Sequence, residues 1–318
     1  MTRSRPVSVK VRAPASSANL GPGYDVFAVA LEKPADTLEL RVADSSSLTV
    51  DIKVRGARTV PSDAKLNAAG AVVLKMAEDF GLRSRISMVI EKGVPIGVGL
   101  GSSAASSAAA AFAMNECFRL RLNGPELVGY AARGEFVSSG VEHYDNVSAS
   151  LLGGFTVTMT RPALEVARFD PPEELRVCLA TPTVKLPDRK TEYARSILPK
   201  MVELERLVHN TAAASTLVAG FAKKDIEMIG RGMEDQVVER ARAAMIPGYE
   251  RVRGMAFVAG ASGVCISGAG PTVLAIVDSS EARPSEVLKE MKRAFESEGV
   301  EAEGYTTTVG RGARRVDR

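Results

Sequence analysis

Between Gly93 and Ser103 the sequence places glycines at 93, 97, 99 and 101 and closes with two serines, a spacing suited to gathering phosphate oxygens. A phosphate needs several backbone N–H donors aimed at one point, and glycine lets the backbone turn tightly and approach without a Cβ. A helix starting directly after the loop adds unpaired N–H groups and the positive end of its dipole. We therefore assign Pro95, Gly97, Val98, Gly99, Leu100, Gly101, Ser102, Ser103 and Ser106 to a phosphate site, centred on the amides bared by Gly97, Gly99 and Gly101. The hydroxyls of Ser102 and Ser103 suit capping the helix, reaching phosphate or helping to hold Mg²⁺. The plain alternative is a glycine-rich turn before a serine-capped helix. No Gly-Lys-Ser/Thr follows the glycines, so this is not a Walker A loop, and the spacing is not that of the dinucleotide fingerprint. The His-Arg-Asp loop of protein kinases is absent.

The elements that must hold this loop follow from periodicity. Val7–Ala13 alternates as a strand, and Pro14–Asp25 reads as a turn-rich stretch. Leu38–Val42 and Leu48–Val54 read as a pair of strands joined by the loop Asp44–Ser47. Asn67–Phe80 has helical spacing with Gly81 as its stop. Ile86–Ile90 is a strand entering the loop, and an alanine-rich helix leaves it from Ser102 to Phe118. Glu126–Ser138 and Asp145–Leu152 are further helices, followed by a strand Phe155–Met159. The second half offers a strand Leu175–Ala180 and a long helical region Lys190–Val258. Strands Gly263–Ser267 and Thr272–Val277 flank a glycine-rich turn, and a helix Ser285–Ser297 precedes a last strand Ala302–Val309. Strands and helices mix without a βαβ rhythm, which favours an α+β fold in two lobes, 1–153 and 154–318.

Composition narrows the function classes. The 318 residues are 45% hydrophobic and 25% charged, the make-up of a globular protein. A net charge of +3, with the only dense basic run in the tail Arg311–Arg318, argues against nucleic acid. That tail is expected to be a solvated end. Cys117, Cys178 and Cys265 stand far apart with no CxxC pattern, so no disulfide framework is expected, as suits a cytoplasmic protein. Two histidines exclude a three-His zinc site. The basic start Met1–Arg12 lacks an apolar run behind it, so no signal peptide is expected, and Ala104–Met114 is too short to span a bilayer.

Three blocks in order give the chain a family resemblance: Ala13–Asp25 (Ala-Pro-Ala-Ser-Ser-Ala-Asn-Leu-Gly-Pro-Gly-Tyr-Asp), the loop Pro95–Ala105, and Ser267–Thr272 (Ser-Gly-Ala-Gly-Pro-Thr). Together they resemble the GHMP kinase superfamily of galacto-, homoserine, mevalonate and phosphomevalonate kinases. Ser17–Gly21 with Asp25 and Phe27, the run Gly101–Ser107 and the segment His143–Val147 most resemble the homoserine kinases. The resemblance implies a two-lobed GHMP fold and ATP bound on the glycine-rich loop. It also implies phosphoryl transfer from ATP to the side-chain hydroxyl of homoserine, on the way to threonine.

The roles implied by the resemblance fall on matching positions. Glu135, with Ser102 or Ser103, takes the part of the Mg²⁺ ligands. Arg195 and Arg242 take that of guanidiniums for the α-carboxylate, and Asp25 that of an anion for the α-amine, with Asn19, His143 and Gly268 beside them. Asn67 matches a residue near the adenine and ribose, although an Asn there also suits a helix cap. Asn146 stands where mevalonate kinases carry an aspartate base. An amide cannot take a proton at neutral pH, so the resemblance implies direct transfer with Asn146 orienting the hydroxyl. A loose transition state needs mainly positioning and charge neutralisation. The catalytic set is thus Asn146, Glu135 and Arg195. The alternatives are another GHMP kinase such as mevalonate kinase, a mevalonate diphosphate decarboxylase-type lyase, or a non-enzymatic binding protein. A homodimer is common among similar enzymes.

Overall fold

Val9 and Val11 alternate with polar neighbours along β1 (Val7–Asn19) and face Leu40 and Leu38 of β2 (Gly23–Asp44) across an antiparallel ladder. All four side chains are buried, because a period of two puts one face of each strand in the core. The computed structural model describes residues 7–185, 187 and 190–316. The stretch from Pro14 is strand as far as Asn19, not a run of turns, and the chain reverses only at Leu20–Pro22. The buried side chains of Ala15, Ser16, Ser17 and Ala18 explain the difference, since the interior takes up this small-residue segment whole.

The strand β3 (Thr49–Arg55) does not lie beside β2. β4 (Ser84–Glu91) inserts between them, antiparallel to β2 and parallel to β3. A parallel pair needs a crossover, and the helix α1 (Ala68–Asp79) supplies it. Among the described residues the first sheet has seven strands, in the order β11 (Arg314–Arg315), β1, β2, β4, β3, with β5 (Phe155–Met159) paired to β2 and β6 (Glu165–Phe169) paired to β5. Residues on both sides of Gly153 therefore build this sheet. The expected solvated tail is partly structural: β11 (Arg314–Arg315) pairs with β1, and Arg314 meets Glu32 at 2.6 Å. Residues 1–6 and 317–318 of the two basic ends lie outside the described residues.

Four helices, α1, α2 (Ser102–Phe118), α3 (Gly124–Ser139) and α4 (Tyr144–Leu152), pack together on the first sheet. Alanine at 104, 105, 108–111 and 113 leaves α2 apolar on all sides, so it is the buried central helix. Its small side chains bring its axis close to β1 and β2, and that approach delivers its N-terminus to the loop.

The second sheet is antiparallel, in the order β10 (Ala302–Thr307), β7 (Leu175–Pro182), β9 (Val273–Asp278), β8 (Gly263–Ile266). The expected long helical region is broken into α5 (Lys190–Ser196), α6 (Leu204–Lys223), α7 (Ile226–Arg231), α8 (Val238–Arg242), a 3₁₀ turn and α9 (Tyr249–Val258). A left-handed Lys224, Gly232 and Pro247–Gly248 interrupt it. α9 and α10 (Pro284–Ser297) cover one face of the sheet through Val252, Met291 and Phe295. The other face, with Leu175, Val177 and Leu179, shares a core with α6, α7 and the first lobe. There Phe155 stacks on Phe221, with centroids 4.1 Å apart. Among the described residues no helix is long and apolar enough to cross a membrane.

Candidate active site

Asp36 is fully buried in the middle of β2, where an unpaired carboxylate would be costly. It accepts hydrogen bonds from the amides of Gly93 and Val94, each at 3.0 Å, and from Ser106 Oγ at 2.7 Å, and it pairs with Lys92 Nζ. Lys92 also donates to the Ser102 carbonyl at 2.7 Å and to Ser106 Oγ at 3.0 Å. Burial lowers the Lys92 pKa while Asp36 opposes that shift. The pair ties both ends of the glycine-rich loop to the first sheet. Removing one partner of such a buried pair strands the other charge. Nothing in the sequence singled out Asp36 or Lys92, except that Lys92 directly precedes the first glycine.

The three glycines expected to bare their amides divide into two kinds. A Cβ on Gly97 would meet nothing within 4 Å, so that residue faces open space. A Cβ on Gly99 would lie 2.3 Å from the Ser267 carbonyl, and one on Gly101 would lie 2.3 Å from Ser16 Oγ. These two glycines instead admit their neighbours. Ser267 Oγ donates to the Gly99 carbonyl at 2.7 Å and is hydrogen-bonded to Ser17 Oγ at 2.8 Å, and Gly268 N donates to the Ala18 carbonyl at 3.1 Å. The three sequence blocks are thereby bonded to one another. Gly101, with φ +61°, ends the loop in the left-handed region, and no side chain caps α2. Ser102 Oγ donates back to the Val94 carbonyl at 2.9 Å, so it braces the loop and caps nothing.

The loop borders a cavity of about 1120 Å³. Most residues singled out from the sequence line it: Asn19, Asp25, Asn67, Gly97, Gly99, Leu100, Gly101, Ser102, Ser103 and Ser106, then Glu135, His143, Asn146, Arg195, Arg242 and Gly268. Two loop residues stand apart. Pro95 lines a smaller adjoining cavity of about 330 Å³, and Val98 packs into the core shared by the lobes while its carbonyl accepts from Thr272 N at 3.3 Å. Asn67 lines the wall but has local partners: it caps α1 through Gly70 N at 3.1 Å and donates to the Pro61 carbonyl at 2.7 Å.

Glu135 of α3 and Asp145 of α4 line the cavity and are both buried. Burial first, and then the charge of Asp145, pushes Glu135 up to about 7, while a hydrogen bond from Ser103 works the other way. Burial, then Asp25, pushes Asp145 up to about 7 as well. Two crowded, desolvated carboxyls gain from a cation placed between them. Among the described residues no group of three His, Cys, Asp or Glu side chains converges on one point. That donor set suits a Mg²⁺ held by one or two carboxylates plus phosphate oxygens, not a closed protein cage.

In the same cavity Arg195 of α5 grips Asp25 with a two-pronged pair, 3.0 and 3.1 Å. His143 Nδ1 lies 3.4 Å from the same guanidinium, and burial followed by the charge of Arg195 lowers the imidazole pKa. The Gly268 carbonyl is a shared acceptor, taking Asn19 Nδ2 and Arg242 Nη1 at 2.9 Å each. Asp25 has φ +57°, a conformation that side chains other than glycine adopt at some cost and that clusters at functional sites. Asn146 Oδ1 accepts from Ser16 Oγ at 2.9 Å, close beside Gly101. Lys190 and Tyr24 also line the cavity, and the sequence reading gave neither a role. Lys190 donates to the Gly270 carbonyl and is lowered to about 8 by burial and Arg242, and Tyr24 lies beneath both guanidiniums.

Known proteins align with this architecture along its length. The family described as GHMP kinases N terminal domain matches residues 67–154, and GHMP kinases C terminal matches 217–297. The chain is 38% identical over 310 residues to a homoserine kinase of Thermoplasma volcanium, covering 98% of this chain and 97% of that one. It is 44% identical over 305 residues to a homoserine kinase of Natronomonas pharaonis, covering 96% and 99%. A crystal structure of homoserine kinase from Cytophaga hutchinsonii superposes with a TM-score of 0.89 at 34% identity, covering 99% of both chains. Identity of this level over nearly the whole length, on the same fold, makes the chain a member of the homoserine kinase family within the GHMP kinases.

Proposed function

We infer that the chain transfers the γ-phosphoryl group of ATP to the side-chain hydroxyl of L-homoserine. The observation that carries this reading is the adjacency of Asn146 to the loop: a Cβ on Gly101 would lie 2.9 Å from Asn146 Oδ1. An acceptor held by Asn146 therefore sits directly beside the phosphate cradle. Beyond it the cavity carries the anion Asp25 and the cations Arg195 and Arg242, the complement of a zwitterionic amino acid. Mevalonate has no amine for Asp25, and a lyase of the diphosphate class needs an acid where Asn146 stands.

In this reading the loop amides and the start of α2 bind the triphosphate, and Asn146 orients the hydroxyl without taking its proton. Mg²⁺, which would neutralise charge on the phosphates, would be held by Glu135 and Ser103; Ser102 Oγ already bonds the Val94 carbonyl. The ammonium competes with Arg195 for Asp25, and the carboxylate competes with Asp25 for Arg195. The Asp25–Arg195 fork thus marks where both contacts would form. On the family resemblance alone we also propose a homodimer and a cytoplasmic location. Light scattering of the purified protein checks the first.

The test incubates the protein with MgATP and homoserine, mevalonate, galactose or mevalonate diphosphate, following ADP and CO₂. ADP formed with homoserine is the expected result, and turnover of mevalonate alone would reject the substrate assignment. Arg195→Ala is expected to raise KM for homoserine about tenfold or more, the loss of a charge-assisted contact, with KM for ATP nearly unchanged. An unaltered homoserine KM would remove Arg195 from the site.

A further inference from the structure

Tyr24 opens β2 immediately before the left-handed Asp25, so the reversal at Leu20–Pro22 fixes where its ring lies. The Arg195 guanidinium carbon lies 5.3 Å from the ring centroid and that of Arg242 lies 5.2 Å from it. Cation–π attraction of this kind orients guanidiniums, and a phenylalanine would supply it equally well. The hydroxyl is therefore not explained by packing. It is buried and has no hydrogen-bond partner among the described residues, a condition that costs free energy and calls for a reason. Asp25, Arg195, Arg242 and Asp145 all face the phenol. Burial first and then Asp25 raise it, so it keeps its proton at neutral pH and stands as a neutral donor among charges.

We propose that the Tyr24 hydroxyl is a specificity-determining contact that donates a hydrogen bond to the α-carboxylate of the amino-acid substrate. An anion drawn to both guanidiniums arrives beside a neutral donor lying under them. When the substrate separates Arg195 from Asp25, its carboxylate supplies the partner that the hydroxyl lacks. A site holding such a donor discriminates against acceptors that lack the carboxylate, because the donor is then left unpaired. This inference rests on the homoserine reading above.

Tyr24→Phe separates the hydroxyl from the ring. The expected result is an increase of about tenfold in KM for homoserine, with KM for ATP unchanged and the melting temperature equal or higher. With 3-aminopropan-1-ol, which is homoserine without its carboxylate, kcat/KM should be the same for both proteins. A homoserine KM unaltered by the substitution overturns the proposal, and so does an equal loss with the aminoalcohol. If the unsubstituted protein turns over no homoserine, the function reading fails and this inference fails with it. If that protein is active and Tyr24→Phe matches it, only the hydroxyl's role is lost.

Discussion

Glu135→Gln should lower kcat with homoserine about a hundredfold or more while making the protein more stable at pH 8. The first effect follows if the carboxylate holds the cation that neutralises the transferring group, because a neutral amide is a poor ligand for Mg²⁺. The second follows from the sign of the pKa shift. Glu135 rises from 4.5 to about 7 on folding, mainly through burial. Between those values the unfolded chain has released the proton that the folded chain keeps, so stability falls as pH rises through that window. Above it the buried carboxylate costs up to about 3 kcal/mol, a cost that glutamine does not carry. Urea unfolding of both proteins at pH 4 and pH 8 measures the difference, expected near zero at the lower pH. An undiminished kcat would remove Glu135 from the metal role. No gain at pH 8 would mean that the carboxylate is better solvated than its surroundings indicate. MgATP binding by the unsubstituted protein should in turn strengthen from pH 6 to pH 8, as the carboxylate ionises.

What was legible in the sequence depended on how local its cause is. The alanine-rich α2, the glycine-rich loop before it and the helical stretch containing Glu135 each carry their reason within about fifteen residues. The cap role of Asn67 was legible too, since an Asn before an apolar helical run is a local signature. The order of β2, β4 and β3 was not, because register depends on which strand reaches the sheet first and not on the loop joining two of them. Nor was the pairing of Asp36 with Lys92, 56 residues apart. Asp36 lies inside a strand and Lys92 just past the end of one, and neither position carries a local sign of an ion pair. The family resemblance implies that Asp25 and Arg195 meet the charges of a substrate, whereas their grip on each other across 170 residues has no local signature. Two groups selected to hold opposite ends of a zwitterion are themselves complementary, so they meet when nothing separates them.

The glycines show the same limit and lead to the largest effect. Gly101→Val should leave no measurable turnover, although the cause differs from a simple block of the phosphates. The added Cβ would lie 2.3 Å from Ser16 Oγ and 2.9 Å from Asn146 Oδ1, at φ +61°. A β-branched residue in the left-handed region costs about 1–2 kcal/mol before any clash is counted. Ser16 cannot retreat easily: its amide donates to the Leu100 carbonyl at 3.2 Å and its side chain is fully buried. Asn146 is then the group that moves, which takes the acceptor's anchor away from the loop. Both ATP affinity and kcat should therefore fall, and a melting temperature lowered by several degrees should accompany them. Gly97→Val is the comparison, because its side faces open space and no protein atom lies within 4 Å. It should weaken ATP binding with a smaller loss of stability, the cost being its φ of +78°. Calorimetric titration with a non-hydrolysable ATP analogue, alongside thermal unfolding, separates the two substitutions. If Gly101→Val bound the analogue as tightly as the unsubstituted protein and still turned over homoserine, the loop and Asn146 could not form one reaction centre.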